Sequence, residues 1–417
     1  MAKILTEIKV GEKPLSKYEK FIKADLRKKI LAESGKLNGV SVVHINSTAC
    51  GGGVAELLQS QIPLERGLGL DSHWVVINGD KEDMFFTITK KIHNLLQGEK
   101  GTLTENEKKL YLRHNKRAFP ELKKILKKIK PDIVVIHDPQ PLPLVDAIPR
   151  GIEVAFRLHI DISAPNTRVL NFIKPFIMKF NRLVVSNSLY RPDWFPAEKA
   201  DVIYPAIDPL LPKNKILSRS AVRRLAKKYG INPDDKIVSQ VSRFDPWKDP
   251  VGVIKAFNIA RKKIAGLKLI LIGSVADDDP ESKEIYAEVK DFSNGDPDIL
   301  LITEKDNTLV NVIQSVSGAV LQKSLREGFG LTVTEAMWKG KAVIGGDTTG
   351  IASQIENGRD GILVSSIRQA GEAIVKIFND PKLAGKMGAA ARETVREKFL
   401  TPKMVLEHLK LYSKLLK

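Results

Sequence analysis

Short, continuously apolar runs recur along this chain about one helix apart, and that pattern constrains the fold more than any other feature. Val40 to Ile45, Trp74 to Ile77, Ile133 to Ile136, Val154 to Leu158 and Leu183 to Val185 have strand length and are separated by segments of helical periodicity. An alternating run marks a strand wet on one face, whereas a continuous run marks one covered on both, as in a parallel sheet wound with helices. After the polar, proline-containing stretch Asp208 to Lys215 the pattern resumes in Ile237 to Val241, Leu267 to Ile272, Ile299 to Ile302, Ala319 to Leu321 and Ala342 to Ile344. Two βαβ series predict an α/β architecture of two Rossmann-like doubly wound domains, with ligands beyond the carboxyl ends of the strands. We expect a helical N-terminal extension over 1–36, an N-terminal domain over 37–210, a C-terminal domain over 211–395 and a final helix over 396–417. The catalytic cleft is expected between the two domains.

Other classes drop out quickly. The 417 residues show no repeat and no low-complexity tract, which excludes solenoids. The opening MAKILTEIKVGEKPLSKYEKF lacks the apolar core of a signal peptide, and no run approaches the roughly 18 apolar residues of a membrane span. A cytoplasmic protein is the expectation. The single Cys50 allows no internal disulfide, and with no histidine near it in sequence it reads as a packing residue rather than a nucleophile. The net charge of +18 calls for an anionic partner, which could be a phosphate-bearing small molecule, nucleic acid or an acidic surface.

Three loops carry the chemistry. In HINSTACGGGVAELL a strand ends near Asn46, and Gly51, Gly52 and Gly53 lead into a helix; such a loop lets backbone amides approach a phosphate or sugar. It matches neither the dinucleotide fingerprint nor the P-loop. In VSRFDPWKDP, Arg243 and Lys248 lie five apart around a turn that Pro246 stiffens, so two cations can converge on a diphosphate. In SLREGFGLTVTEAMWKGKAVIGG, Glu327 follows a strand, Gly328 and Gly330 permit close approach, and Glu335 sits eight residues further on, in a helix. One carboxylate at a strand end can hydrogen-bond sugar hydroxyls while the other reaches a ribose.

The glycine-rich first loop, the R-x4-K loop and E-G-F-G-x4-E, in this order, resemble the retaining glycosyltransferases of the glycogen synthase and sucrose synthase type, family four, of GT-B fold. The resemblance spans nearly the whole chain. It implies that Arg243 and Lys248, assisted by amides of Gly330, Leu331 and Thr332, neutralise the departing diphosphate. It also implies that Glu327 binds the hydroxyls of the transferred glucose, Glu335 the ribose, Gly52 and Gly53 the phosphates, and that His159 contacts the donor sugar near the reacting carbon. Within the family, HINSTACGGGVAELL, VVIHDPQPLPL and RLHIDIS look most like the members that join a nucleoside-diphosphate glucose to free glucose. Small-molecule substrates follow: ADP-, UDP- or GDP-glucose with glucose, or trehalose with a nucleoside diphosphate in reverse.

Front-face substitution, in which the departing phosphate takes the acceptor's proton, fits this set; a covalent intermediate on Glu327 is the older alternative. For the acceptor, His137, Asp138 and Gln140 in HDPQPLPL and Asp161 beyond His159 are candidates, and capping of the next element is the competing reading of His137 and Asp138. No cofactor and no metal site is expected, Mg2+ entering only as a companion of the nucleotide. The histidines form no HExxH, and the acidic Asp277 to Asp279 reads as a solvated loop. The inserted Asp347, Thr348 and Thr349 depart from the usual family pattern and could change how that loop closes over the donor.

Two rivals stay in play. A nucleic-acid-binding protein would explain the charge and ELKKILKKIK, but Leu122, Ile125, Leu126 and Ile129 in that segment have the spacing of a helix packed on a sheet. A nearer rival keeps the transferase and changes the acceptor to sucrose, a sugar phosphate, a lipid or a glucan. Assembly as a homodimer is left open.

Overall fold

The computed structural model describes residues 3–79, 84–273 and 280–417, so Asp277 to Asp279 lie outside the described residues. The chain forms two compact units, one running to Ala206 and taking back Thr401–Lys417, the other Ile207–Leu400.

The strands of the first unit are β1 (Leu5–Ile8), β2 (Ser41–Asn46), β3 (Asp71–Ile77), β4 (Ile133–His137), β5 (Glu153–Leu158), β6 (Arg182–Val185) and β7 (Ala200–Val202). They lie in the order β1-β3-β2-β4-β5-β6-β7. All pairings are parallel except that of β1 with β3. Val42, Val43, Val134, Val135 and Phe156 are fully buried, as continuous apolar strands covered on both faces require. The helix Glu105–Ile129 opens with a capping box between Thr104 and Glu107 and turns Leu122, Ile125 and Leu126 into the core, leaving its lysines outside. The basic run that motivated the nucleic-acid reading is therefore the wet face of a core helix.

The first 36 residues are not wholly helical. Leu5 is buried in an edge strand, with Leu5 opposite Ile77 and Ile8 opposite Trp74. The sequence LTEI is too short and too polar to announce a strand; it becomes one because β3 offers an edge. The Glu121 carboxylate then accepts the amides of Ile4 and Leu5, the latter at 2.8 Å. At the far end of the chain the helix Thr401–Leu415 packs on Ala24–Gly35 and Gly53–Gly67, burying Leu406, His408, Leu409 and Tyr412.

The second unit holds β8 (Lys236–Val241), β9 (Leu267–Ile272), β10 (Ile299–Ile302), β11 (Ala319–Gln322), β12 (Ala342–Gly346) and β13 (Ile362–Val364), all parallel, in the order β10-β9-β8-β11-β12-β13. The unit is closed where it begins and ends, the Ile207 amide donating to the Phe399 carbonyl at 2.9 Å.

Each sheet reverses its strand order once: between β2 and β4 in the first unit and between β8 and β11 in the second. At such a point neighbouring strands send their connections to opposite faces, and a crevice opens at their carboxyl ends. The loops after β2, β4, β8 and β11 hold most of the candidate residues.

Replacing Glu121 by Ala should destabilise the first unit by about 1–3 kcal/mol, since two backbone donors lose a charged acceptor. Hydrogen exchange should accelerate at residues 4 to 8 first; uniform acceleration across the sheet would refute this local role.

Candidate functional site

At the switch point of the second unit the loops after β8 and β11 are laced together. Asp245 accepts the Trp247 amide at 2.9 Å and stands 3.1 Å from Arg243, so one carboxylate shapes the turn and orients the cation. The Gln240 side chain donates to the Lys248 carbonyl at 2.8 Å, and Leu325 N–H to the Trp247 carbonyl at 2.8 Å. Asp249, at φ 50°, caps the helix Pro250–Arg261 and pairs with Lys323. These ties place the Lys248 ammonium 2.6 Å from the Glu327 carboxylate. Sequence reading assigned these two residues separately; the structure makes them one ion pair.

Glu327 is backed by glycine and by an amide side chain. A Cβ at Gly330, whose φ is +89°, would stand 3.1 Å from the Glu327 Cγ, and one at Gly350 would stand 2.3 Å from the Glu327 carbonyl oxygen. Gly350 belongs to the helix Thr349–Ala352, so the segment with Asp347, Thr348 and Thr349 supports the Glu327 loop from the side. Gln354 adds to this, donating to the Phe329 and Gly330 carbonyls and accepting from Thr334 Oγ1 at 2.5 Å. The helix Leu331–Trp338 starts at Gly330 with no side-chain cap, leaving the amides of Leu331 and Thr332 for an anion.

Glu335 is placed differently from the expectation. It is 1% exposed, its Oε1 lies 2.7 Å from Lys213 Nζ, and Gln314 Nε2 donates to its Oε2 at 3.4 Å. A ribose would meet a carboxylate already neutralised by a lysine from the segment after Ile207, which no local motif announced.

In the first unit Gly51 and Gly52 take φ of +75° and +88°, and Gly52 precedes the helix Gly53–Gly67, again with no side-chain cap. The loop is held by Asn46 Nδ2 donating to the Thr48 carbonyl at 2.7 Å and Gln59 Nε2 to the Ala49 carbonyl at 2.8 Å. Cys50 is exposed, which corrects its reading as a packing residue.

The loops after β4 and β5 hold the largest surprise. His137 is 1% exposed and both ring nitrogens are engaged: Nε2 lies 3.1 Å from His44 Nδ1, and Nδ1 lies 3.0 Å from His159 Nε2. Both ring nitrogens are thus taken up by neighbouring rings, the second by the half-buried His159. His44 in turn meets Glu65 at 3.1 Å, both fully buried. Burial and the neighbouring Arg157 hold His137 and His159 well below the usual histidine range. Burial alone would raise Glu65, but His44, His408 and Gln61 override it and hold the carboxyl at about 2. Arg157, a buried residue of β5, is pushed down to about 10 by desolvation and donates to His408 Nε2 at 3.1 Å.

Asp138 takes φ +62° and its Oδ1 accepts the His159 amide at 2.8 Å, tying the ends of β4 and β5. Burial lifts its carboxyl to about 7, opposed only in part by that amide and by Arg157. Asp161 caps a turn through the Ser163 amide at 2.8 Å. Gln140 keeps a buried side-chain oxygen without a protein partner. Among the described residues no group of three His, Cys, Asp or Glu is arranged to hold a metal ion, and no helix is long and apolar enough to cross a membrane.

Residues 44–192 match the family model of the trehalose synthase N-terminal domain, and residues 222–394 that of group 1 glycosyl transferases. The chain is 38% identical to the trehalose synthase of Rubrobacter xylanophilus, over 99% of this chain and 100% of that one. It is 38% identical to the trehalose synthase of Pyrococcus horikoshii, over 98% of each. Among solved structures, the sucrose-phosphate synthase of Thermosynechococcus elongatus superposes with a TM-score of 0.69 at 16% identity, covering 90% of this chain and 99% of that one.

The Asp138 carboxyl ionises near 3.8 when exposed and near 7 when folded, so stability contributed by its protonated form is lost as pH rises through that window. Asp138→Asn keeps an acceptor for the His159 amide and tolerates the left-handed backbone. Its melting temperature should pull ahead of the parent's between pH 4 and 7, by roughly 5 °C or more, and stay ahead above that. A gap independent of pH would show that burial does not hold the proton on Asp138.

Proposed function

Because the chain belongs to the trehalose synthase family of GT-B glycosyltransferases, we propose that its second unit holds a nucleoside-diphosphate glucose and that the glucosyl group passes to free glucose with retention of configuration. The protein is a glycosyltransferase acting on small sugars, of the trehalose-forming type. The observation that carries the mechanism is the Lys248–Glu327 pair, 2.6 Å apart at the switch point beside the uncapped helix Leu331–Trp338.

Without ligand the two side chains neutralise each other. A diphosphate arriving at Arg243, Lys248 and the amides of Leu331 and Thr332 draws Lys248 toward phosphate and leaves Glu327 to accept hydrogen bonds from the donor's hydroxyls. As the glycosidic bond breaks, negative charge grows on the leaving oxygen, where these fixed cations and amides stabilise it. The same oxygen takes the proton of the incoming hydroxyl, which adds on the face just vacated. Because side chains and amides meet the diphosphate charge, the reading requires no metal, and transfer should survive a chelator. In the first unit, the Gly52 and Gly53 amides would approach the phosphates, His159 the transferred sugar, and Gln140 the acceptor. Cytoplasmic placement and a homodimer are compatible with this reading, which depends on neither.

Incubation with glucose and ADP-, UDP- or GDP-glucose should yield trehalose, and trehalose with the matching nucleoside diphosphate should regenerate the sugar nucleotide. Transfer only to fructose, a sugar phosphate or a lipid would replace the acceptor while keeping the transferase. Lys248→Ala should lower kcat about 10²–10³-fold and weaken nucleoside-diphosphate binding; unchanged affinity would remove Lys248 from the leaving-group role. Glu327→Gln should abolish most transfer yet leave nucleoside-diphosphate affinity equal or higher, because a negative charge beside Lys248 is gone. Loss of that affinity instead would make Glu327 a holder of Lys248 rather than a sugar ligand.

A further inference from the structure

Glu65 lies in the interior of the first unit, four donors converge on it, and a file of three histidine rings leads from it to His159. Gln61 Nε2 at 2.8 Å and Tyr412 O–H at 2.9 Å donate to Oε1; Ser72 O–H at 2.8 Å donates to Oε2, which faces His44 Nε2 at 3.1 Å. An ionised carboxylate only accepts, so His44 must carry its proton on Nε2. For three neutral rings, one proton each, His44 Nδ1 is then an acceptor for His137 Nε2–H, and His137 Nδ1 an acceptor for His159 Nε2–H. Each step leaves the next ring no choice of tautomer. His408, beside the file, is itself settled: it donates from Nδ1 to the Met404 carbonyl at 2.9 Å and accepts from Arg157 on Nε2.

We propose that Glu65 is a positioning residue that acts through His44 and His137 to hold His159 in the Nε2–H tautomer. His159 then offers the lone pair of Nδ1, and no proton, to whatever ligand it touches. A sugar hydroxyl, which has a proton to give, fits that nitrogen; an ionised phosphate oxygen, which has none, does not. The inference rests on the reading that His159 meets the sugar, but the tautomer itself does not.

The geometry also names the change that reverses the file. In Glu65→Gln the amide oxygen can keep Gln61 and Tyr412 on the Oε1 side, and the amide N–H2 then donates to Ser72 and to His44 Nε2. His44 must move its proton to Nδ1, His137 must follow, and His159 ends as the Nδ1–H tautomer, with no atom other than hydrogen displaced. An imidazolium at His44 would set the same reversed order in the parent protein.

The test is long-range proton–nitrogen NMR on the full chain labelled with nitrogen-15 at its seven histidines, with His159 assigned through a His159→Gln sample. The parent should show His159 protonated on Nε2, and Glu65→Gln should show it protonated on Nδ1. The variant's kcat/KM for sugar transfer should fall about five- to tenfold, as expected for one impaired hydrogen bond, with nucleoside-diphosphate affinity and melting temperature close to the parent's. A parent His159 protonated on Nδ1 overturns the proposal, and that result does not depend on Glu65→Gln folding. An unchanged tautomer in Glu65→Gln removes Glu65 from control, and an inverted tautomer with unchanged kcat/KM removes His159 polarity from sugar recognition. Failure of the parent to transfer glucose from any sugar nucleotide would sink the functional reading and leave the tautomer result standing.

Discussion

The rest of the structure depends on a single reversal of strand order in each parallel sheet. Elsewhere in such a sheet the connections after neighbouring strands run to the same face and close over the strand ends; at the reversal they part, and their backbone amides and side chains are left without a neighbour. In the second unit this occurs between β8 and β11, and the two loops compensate by binding each other through Lys323–Asp249, Leu325–Trp247 and Lys248–Glu327. The first two contacts are scaffold. The third joins two candidate residues of the site across those loops.

The candidate cations of the second unit and the buried charges of the first are handled oppositely. The second keeps its candidate cations part-exposed, Arg243 being 52% exposed at its side chain, so they can be recruited at little desolvation cost. The first buries Glu65, Arg157, His44 and His137. An isolated buried charge would be expensive, and such groups persist only where hydrogen bonds replace water. Glu65 meets four donors, and Arg157 meets His408 and the Ile203 carbonyl. A network so fully satisfied has few alternative arrangements, which is why it can orient a half-buried histidine at its end.

Legibility in the sequence follows burial. The central strands announce themselves because both faces are covered, so most of their residues are apolar. Three of the four edge strands, β1, β7 and β13, do not: LTEI, ADV and ILV are short and only partly buried. The loop residues after β8 and β11 were visible as motifs because glycines and charges cluster over a few positions. Lys213 was invisible, a lysine in a proline-containing linker whose partner Glu335 lies in another element. His137 was visible but misassigned, since HDPQPLPL looks like an open loop and says nothing of the rings above and below it.

By itself the sequence determined the two βαβ series, the order of the motifs and the local chemistry of each loop, because these depend on neighbours within a turn or a strand. Only the tertiary structure decided which loops meet, that Glu335 and His137 are withdrawn from the surface, and that Glu65, His44, His137 and His159 form one file. Glu65 reads in sequence as an ordinary charge in the last turns of the helix Gly53–Gly67. Its partners come from β2, β3 and the helix Thr401–Leu415, and hydrogen bonds of that separation have no signature in any window of residues.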